Sequence, residues 1–205
     1  MTQKFDVKKE LVAFYAPKNN DFELIDVPHQ RFLGIEGMGA PQSNQFASAI
    51  ETLYSVAYPL KFISKARSGF DYVVGPLEAQ WWAEDYSAFN RDDRSAWKWR
   101  LLTAIPESVS DEDLMNAMNK ATSKGSSHAS QTHFYELSEG LSFQMLYIGP
   151  FSNEGPVLEK LHSRVMPESG MIFNGHHHEI YLSDMRKTEA SKLKTILRQP
   201  VKQSQ

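Results

Sequence analysis

Two short stretches constrain the fold and the chemistry of this chain more than any other feature. They are Gly75–Trp82, with the sequence GPLEAQWW, and His176–Asp184, with the sequence HHHEIYLSD. Each stretch places a glutamate, Glu78 or Glu179, in a strand-like run with aromatic neighbours, and each follows a helical segment. An ionised carboxylate on a buried strand face must find a partner, become neutral or serve a function. We therefore interpret the two glutamates as equivalent positions in a duplicated unit around one ligand cavity.

The composition excludes several classes of protein. The 205 residues carry a formal charge of -3, and the 22 basic residues are scattered, which argues against a nucleic-acid partner because phosphate contacts need clustered lysine and arginine. The absence of cysteine excludes disulfides and thiolate metal sites. No run approaches the ~18 apolar residues of a membrane span, and the first residues lack the apolar core of a signal peptide. We expect a cytoplasmic protein without a membrane partner.

The hydrophobic pattern predicts that the same order of elements occurs twice. In the first half, about residues 21–109, strand-like segments precede a helix that begins at Ser43 or Asn44, and strands follow at Leu77–Trp82 and Ala96–Ile105. In the second half, about residues 131–201, the pattern predicts a strand at 141–147, a helix at 154–165, a strand at 176–182, and a closing strand or short helix at 193–198. Overlaying the halves aligns Glu78 with Glu179.

Two segments lie outside the repeated halves. A helix at residues 110–124 joins them, because the sequence from Ser110 to Asp113 has the S-x-x-D form of a helix start and Gly125 follows its last turn. Residues 1–20 are polar and are interpreted as a peripheral N-terminal arm. The expected organisation is therefore an arm, 1–20, and one ligand-binding domain, 21–205.

Alternate side chains of a strand share a face, so His177, Glu179 and Tyr181 should point one way and their neighbours the other. The same rule groups Glu78 with Trp82. If the halves pair about a pseudo-two-fold axis, these carboxylates and rings converge on one cleft. Such a cleft would bind a flat molecule, neutral or cationic, or use a carboxylate as a general base on water. A simpler alternative is that Glu179 forms an ion pair with a nearby basic residue such as Arg198.

Other kinds of chemistry find no support in the sequence. The three consecutive histidines are a poor metal site, because neighbours on a strand face opposite ways and the HExxH spacing is absent, and we expect no metal. There is no G-x-S-x-G motif, no thiol and no glycine-rich phosphate loop. Acyl-enzyme and nucleotide chemistry are thus not expected, and no cofactor is expected. His177 remains a candidate to line the cleft beside Glu179.

Four segments together resemble the GyrI-like small-molecule-binding family, and in particular its stand-alone members, over about residues 21–201. The segments are Pro76–Trp82, Tyr147–Phe151, His178–Asp184 and Leu193–Pro200. This resemblance implies an α+β fold of two β-α-β-β units with pseudo-two-fold symmetry, in which antiparallel sheets and helices surround a central ligand groove. It also places Glu179 where the family has a buried, ligand-sensing glutamate.

The resemblance further implies a function and roles for individual residues. Some stand-alone members hydrolyse the strained cyclopropane of cyclopropyl-pyrroloindole DNA-alkylating toxins. By analogy, Glu179, alone or with Glu78, would orient or deprotonate the water. Either Tyr181 or Tyr147 would donate a hydrogen bond to the carbonyl oxygen on which charge grows.

Tryptophan rings would sandwich the planar body of such a toxin. The candidates are Trp81, Trp82 and Trp99, but Trp81 and Trp82 cannot both face the groove unless the strand bulges, which favours Trp82. Two alternatives stay open: a non-catalytic drug-binding or sequestering protein, and a partner-binding inhibitor like the gyrase inhibitor that gives the family its name.

Overall fold

The structure is a computed structural model that describes residues 4–18, 20–84 and 94–204. The chain divides into two compact units. Unit 1 comprises residues 1–10 and 30–137, and unit 2 comprises residues 11–29 and 138–205. None of the helices in the described ranges combines the length and the hydropathy that crossing a bilayer requires.

The described elements are short helices, one long helix and nine strands. In chain order the helices are α1 (Val7–Glu10), α2 (Val12–Tyr15), α3 (Asn44–Ser68), α4 (Asp111–Ser123), α5 (Gly155–Lys160) and α6 (Met166–Glu168). The strands are β1 (Glu23–Val27), β2 (Gln30–Met38), β3 (Leu77–Trp82), β4 (Lys98–Ala104), β5 (His133–Leu137), β6 (Gly140–Ile148), β7 (Met171–Phe173), β8 (His177–Tyr181) and β9 (Lys194–Gln203). A π-helical turn, Leu161–Val165, joins α5 to α6.

Unit 1 is an antiparallel sheet in the order β3-β4-β2-β5, packed against α3. Helix α3 begins where the Oγ of Ser43 accepts a hydrogen bond from the backbone N–H of Phe46, and it ends at Gly69, whose φ of 74° is left-handed. Its inner face buries apolar side chains such as Leu53 and Leu60. Helix α4 starts with a capping box between Ser110 and Asp113, as the sequence predicts.

Unit 2 is an antiparallel sheet in the order β1-β6-β9-β8, with β7 paired to β9. Helix α5 and the π-helical turn pack beside it, and Leu161 is fully buried in a cluster with Phe143 and Met166. A second cluster contains Met145 and Leu197. Unit 2 therefore has an apolar core on the side of the sheet that carries the helices.

The two units repeat one topology, which confirms the predicted α+β fold class. Along the chain, unit 1 runs β2-α3-β3-β4 and unit 2 runs β6-α5-β8-β9, apart from the short elements α6 and β7 between α5 and β8. The strand orders also correspond, since β3-β4-β2-β5 matches β8-β9-β6-β1. Strand β3, which carries Glu78, is thus the topological equivalent of strand β8, which carries Glu179.

The described part of segment 1–20, interpreted above as a peripheral arm, packs its apolar side chains. Phe5 forms an isolated parallel bridge with Tyr72 in unit 1, and Val7 is buried. Tyr15 is buried as well, and it belongs to unit 2. Burial of Val7 in unit 1 and of Tyr15 in unit 2 gives the segment an apolar contribution to both units.

Candidate functional site

Strand β8 holds three polar side chains on one face. His177, Glu179 and Tyr181 are partly exposed, whereas the alternating neighbours His178 and Ile180 are fully buried. This is the alternation that the sequence predicts for a strand with one buried face. The polar face of β8 therefore presents a histidine, a carboxylate and a phenol in a row.

Both oxygens of the Glu179 carboxylate have a neighbour on this face. The Tyr181 hydroxyl donates to Oε2 over 2.7 Å. The Nε2 of His177 lies 3.5 Å from Oε1, and the Glu179 side chain is 13% exposed. Within the described ranges, Glu179 makes no ion pair with a lysine or an arginine.

The simpler alternative, an ion pair between Glu179 and Arg198, is wrong. In the antiparallel register, Arg198 lies opposite His178, so it shares the buried face of His178 and not the face of Glu179. Its Nη1 donates to Glu139 Oε2 over 2.9 Å, and its side chain is fully buried. Strand parity therefore leaves Glu179 available for another role.

A second carboxyl group, Glu154, caps the start of helix α5 and lies close enough to Glu179 to be affected by its charge. Its side chain is buried, and in the described structure its Oε1 has no hydrogen-bond partner. Burial, together with the neighbouring charge of Glu179, raises the pKa of Glu154 to about 9. At neutral pH Glu154 therefore holds a proton, and Glu179 is the member of the pair that accepts the hydrogen bond from Tyr181.

Aromatic side chains surround the two carboxyl groups. The Tyr147 hydroxyl donates to the carbonyl oxygen of Pro150 over 3.0 Å, and burial with the charge of Glu154 raises the pKa of Tyr147. A Cβ at Gly149 would lie 2.7 Å from that hydroxyl, so only glycine leaves room for it. The ring of Phe151 packs edge-to-face on Tyr181 at 5.6 Å. The loop after β6 thus brings rings and Glu154 to the face of β8.

The π-helical turn adds a second imidazole. His162 lies in this turn and packs edge-to-face on Phe173 at 4.9 Å. Burial, and then the charge of His177, lowers the pKa of His162 to about 4, so His162 is neutral at physiological pH. π-Helical turns occur frequently at functional sites.

The corresponding face of unit 1 has a different chemistry. Glu78 is fully buried, and the Gln80 Oε1 accepts a hydrogen bond of 2.9 Å from Arg100 Nη1. The Arg100 guanidinium lies 4.4 Å above the Tyr135 ring and 5.7 Å above the ring of Trp82. Arg100 also forms an ion pair of 2.6 Å with Glu36. A cation thus occupies this face, where unit 2 has paired carboxyl groups.

The other two candidate tryptophans belong to the core of unit 1. Trp81 stacks on Phe46 of helix α3 at 5.4 Å, and Trp99 meets the same ring edge-on at 5.2 Å. They are 5% and 1% exposed. Trp82 lies on the opposite face of β3, as strand alternation requires.

The predicted site residues therefore fall into two groups. His177, Glu179, Tyr181 and Tyr147 lie around Glu154 in unit 2, and Glu78, Trp81, Trp82 and Trp99 belong to unit 1. The convergence of the two groups on one cleft stays a prediction.

Sequence reasoning missed three members of the unit 2 cluster: Glu154, Phe151 and His162. Glu154 had one available signal, an acidic residue between the Gly-Pro-Phe turn and the Gly-Pro pair that opens α5. A glutamate at a helix N-terminus is common for electrostatic reasons alone, so this signal is weak. His162 gave none, because periodicity does not predict a π-helical turn.

Comparison with known proteins places this geometry in a family. The family model for the GyrI-like small molecule binding domain matches residues 20–202. No curated protein matches the chain. Solved structures from Listeria innocua are similar over almost the whole chain. An uncharacterized conserved protein is 39% identical, with a TM-score of 0.88 over 97% of this chain and 100% of that chain.

Two further structures from Listeria innocua are described as hydrolases. One is 37% identical with a TM-score of 0.83, over 97% of this chain and 100% of that one. The other, encoded by lin2189, is 37% identical with a TM-score of 0.86, over 98% of this chain and 100% of that one. The EcmrR C-terminal domain is 9% identical with a TM-score of 0.62, over 90% of this chain and 98% of its own, and shares the fold alone. The chain belongs to the GyrI-like small-molecule-binding family.

Proposed function

We propose that this protein binds flat aromatic small molecules and hydrolyses cyclopropane-bearing DNA-alkylating toxins, with Glu179 as the general base. The observation that carries the proposal is the pair of carboxyl groups, Glu154 and Glu179, of which one is neutral and the other accepts hydrogen bonds. A carboxyl group that keeps its proton, next to a carboxylate placed to accept one, can supply an acid and a base at the same pH. The hydrolase descriptions of two relatives at 37% identity also support it.

The proposed reaction adds one water across the strained ring. The water oxygen attacks the ring methylene while Glu179 accepts its proton. The cyclopropane C–C bond breaks, and its electron pair enters the conjugated dienone, which becomes a phenolate. Glu154 then gives its proton to the phenolate oxygen, and the product is a phenol with a new hydroxymethyl carbon.

Exposure favours Glu179 over Glu78 as the base. The Glu179 side chain is 13% exposed, whereas Glu78 is fully buried within unit 1. A base needs room for a water beside it. Under this proposal Glu78 has no direct part in proton transfer and contributes to the shape and polarity of its strand.

The expected donor role of the tyrosines passes to Glu154 under this proposal. The Tyr181 proton is directed at Glu179 and the Tyr147 proton at the Pro150 carbonyl oxygen. Glu154 has a free carboxyl oxygen in the described structure and a pKa near that of a phenol. Tyr181 then orients the base, and Tyr147 shapes the wall beside the acid.

Ligand binding would rest on the aromatic side chains. Burial of a planar ring system contributes ~25 cal/mol per Å² before entropic costs. Within unit 2 we include His177 among the binding residues, and within unit 1 we include Trp82, which is partly exposed beside Arg100. Trp81 and Trp99 would support Trp82 from the core of unit 1.

The test is incubation of the purified protein with a cyclopropane-bearing pyrroloindole alkylator, followed by mass spectrometry for the product that has gained one water. Catalytic turnover of many equivalents is expected. Glu179→Gln should abolish turnover and keep most of the binding, while Glu159→Gln, an exposed glutamate on the same helix as the acid, should behave like the wild type. Stoichiometric protection of the alkylator without product would instead establish a sequestering protein, which is the second candidate that the binding-domain family itself supports.

A further inference from the structure

The proposed reaction leaves both carboxyl groups in the wrong protonation state. After one turnover Glu179 holds the proton taken from water, and Glu154 has lost its own. Glu179 must release a proton and Glu154 must regain one before the next turnover. The structure contains a group that fits the first of these tasks, and the inference that follows rests on the proposed function.

His177 is placed to take a proton from Glu179. Its Nε2 lies 3.5 Å from Oε1 of Glu179, on the side of the carboxylate that Tyr181 does not occupy. Tyr181 holds the other oxygen, Oε2, with its own proton. The carboxylate therefore has one oxygen fixed by a donor and one oxygen turned toward an imidazole.

The imidazole of His177 is not held by other hydrogen bonds. Within the part of the chain that the structure describes, neither of its ring nitrogens has a hydrogen-bond partner. Its side chain is 14% exposed while both ring nitrogens are buried, so the ring must rotate to bring a nitrogen to solvent. A ring without fixed partners can rotate and present either nitrogen to Glu179 or to water, which is what a proton carrier requires.

Alternative routes for this proton are less well placed. No hydrogen bond joins the carboxyl groups of Glu154 and Glu179 in the described structure. The Tyr181 hydroxyl already donates its proton to Glu179, and a phenol is too weak a base to accept a second one.

We propose that His177 carries the proton from Glu179 to solvent between turnovers. In this step the carboxyl O–H bond of Glu179 breaks, an N–H bond forms on His177, and that proton then passes to water. His177 acts through Glu179 and makes no bond to the substrate in this step. Glu154 recovers its proton from solvent, so the cycle is balanced in protons.

The experiment separates the first turnover from later ones. At an alkylator concentration that saturates the variant, His177→Gln should show a rapid burst of about one equivalent of product per protein, followed by a steady state at least ~10-fold slower than that of the wild type. Imidazole added to the buffer should raise the steady-state rate of this variant toward that of the wild type, because a diffusible base can replace the missing ring. His176→Gln removes the adjacent imidazole, which lies just before strand β8, and should leave both phases unchanged.

Each contrary result has a distinct meaning. If the first turnover slows as much as the steady state, or if imidazole does not raise the steady-state rate, His177 has a structural role. Either result would overturn the proposed proton transfer through His177, called the relay below. An unimpaired His177→Gln would also overturn it. If His177→Gln does not fold, His177→Asn is measured with the same expectations. Absence of product from the wild-type protein would overturn the proposed function, and the relay with it, whereas the outcomes above concern the relay alone.

Discussion

Arg198 donates from Nη1 to Glu139 Oε2 over 2.9 Å, and the two side chains are 0% and 6% exposed. The same guanidinium donates to Gln144 Oε1 and to the carbonyl oxygen of Phe14, and His178 Nδ1 lies 2.8 Å from the other oxygen of Glu139. This buried network joins β6, β8 and β9 to helix α2. It therefore fixes the strand whose opposite face carries the candidate base.

Replacing Arg198 with methionine should strongly destabilise the protein. Methionine fills a similar volume but leaves Glu139 without its cation in a buried site, and removal of one member of a buried pair costs about 3–5 kcal/mol. The free energy of unfolding from urea denaturation measures the effect. Arg186→Met is the control, because Arg186 and Asp184 form an exposed pair and its loss should change stability little. Equal changes in the free energy of unfolding for the two variants would contradict a stabilising role for the buried Arg198–Glu139 pair.

The buried network should also make stability depend on pH in the acid range. Burial alone would raise the pKa of Glu139, but His178 and Arg198 outweigh it and lower the pKa to about 2, from an ordinary value of 4.5. Between these values the unfolded state binds a proton that the folded state does not, so stability falls as pH drops from about 4.5 toward about 2. The expected loss is about 3 kcal/mol.

Glu139→Gln isolates this effect. The variant should be less stable than the wild type at pH 6, and the difference should narrow as the pH approaches 2, because the wild-type carboxylate then becomes protonated. Urea denaturation at several pH values measures both free energies of unfolding. A difference that stays constant down to pH 2 would show that Glu139 does not titrate with a lowered pKa.

Much of the fold follows from local patterns in the sequence. The strands predicted at 77–82 and 96–105 and the capping box of α4 follow from local patterns, and the structure has β3, β4 and the capping box at these places. Strand β5 was not predicted, since it lies at the edge of the unit 1 sheet and its residues, His133–Leu137, are only partly buried or exposed. For residues 193–198 the sequence left strand and helix open. In the structure these residues form part of β9, which pairs with β6 on one side and with β8 on the other. A short stretch of sequence does not show such long-range pairing.

The candidate site was predictable only where it depends on one strand. The two-residue repeat of a β-strand is enough to place His177, Glu179 and Tyr181 on one face of β8. The partner of Arg198 and the approach of Glu154 to Glu179 depend on the register of distant strands and on the loop after β6, so no local sequence pattern predicts them. A buried neutral carboxyl group is a property of its surroundings and not of its residue type.

The tryptophans should separate into one structural and one exposed type. Trp99 is 1% exposed and packs on Phe46, so Trp99→Ala should lower the free energy of unfolding by about 3–5 kcal/mol. Trp82 is partly exposed on the other face of the sheet, and Trp82→Ala should cost much less stability while weakening binding of the planar ligand. Denaturation and a fluorescence binding titration measure the two effects. A Trp82→Ala variant that unfolds as readily as Trp99→Ala would contradict this division.

The most direct test of the carboxyl pair is the titration of Glu154 in the presence and absence of its neighbour's charge. Burial is the larger cause of the raised pKa of Glu154, about 9, and the charge of Glu179 is the second. Glu179→Gln removes only the second cause. The pKa of Glu154 should therefore fall in this variant but stay above 4.5, and carbon-13 NMR of the side-chain carboxyl carbons measures it.

Stability gives an independent reading of the same carboxyl group. Between pH 4.5 and about 9 the folded state holds a proton on Glu154 that the unfolded state has released, so the wild type should lose stability as pH rises through this range. Glu154→Gln stays neutral at every pH and should remove this decline, whereas Glu159→Gln, on the exposed side of α5, should keep it. If the decline persists in Glu154→Gln, another group is responsible, and Glu154 is not the acid of the pair.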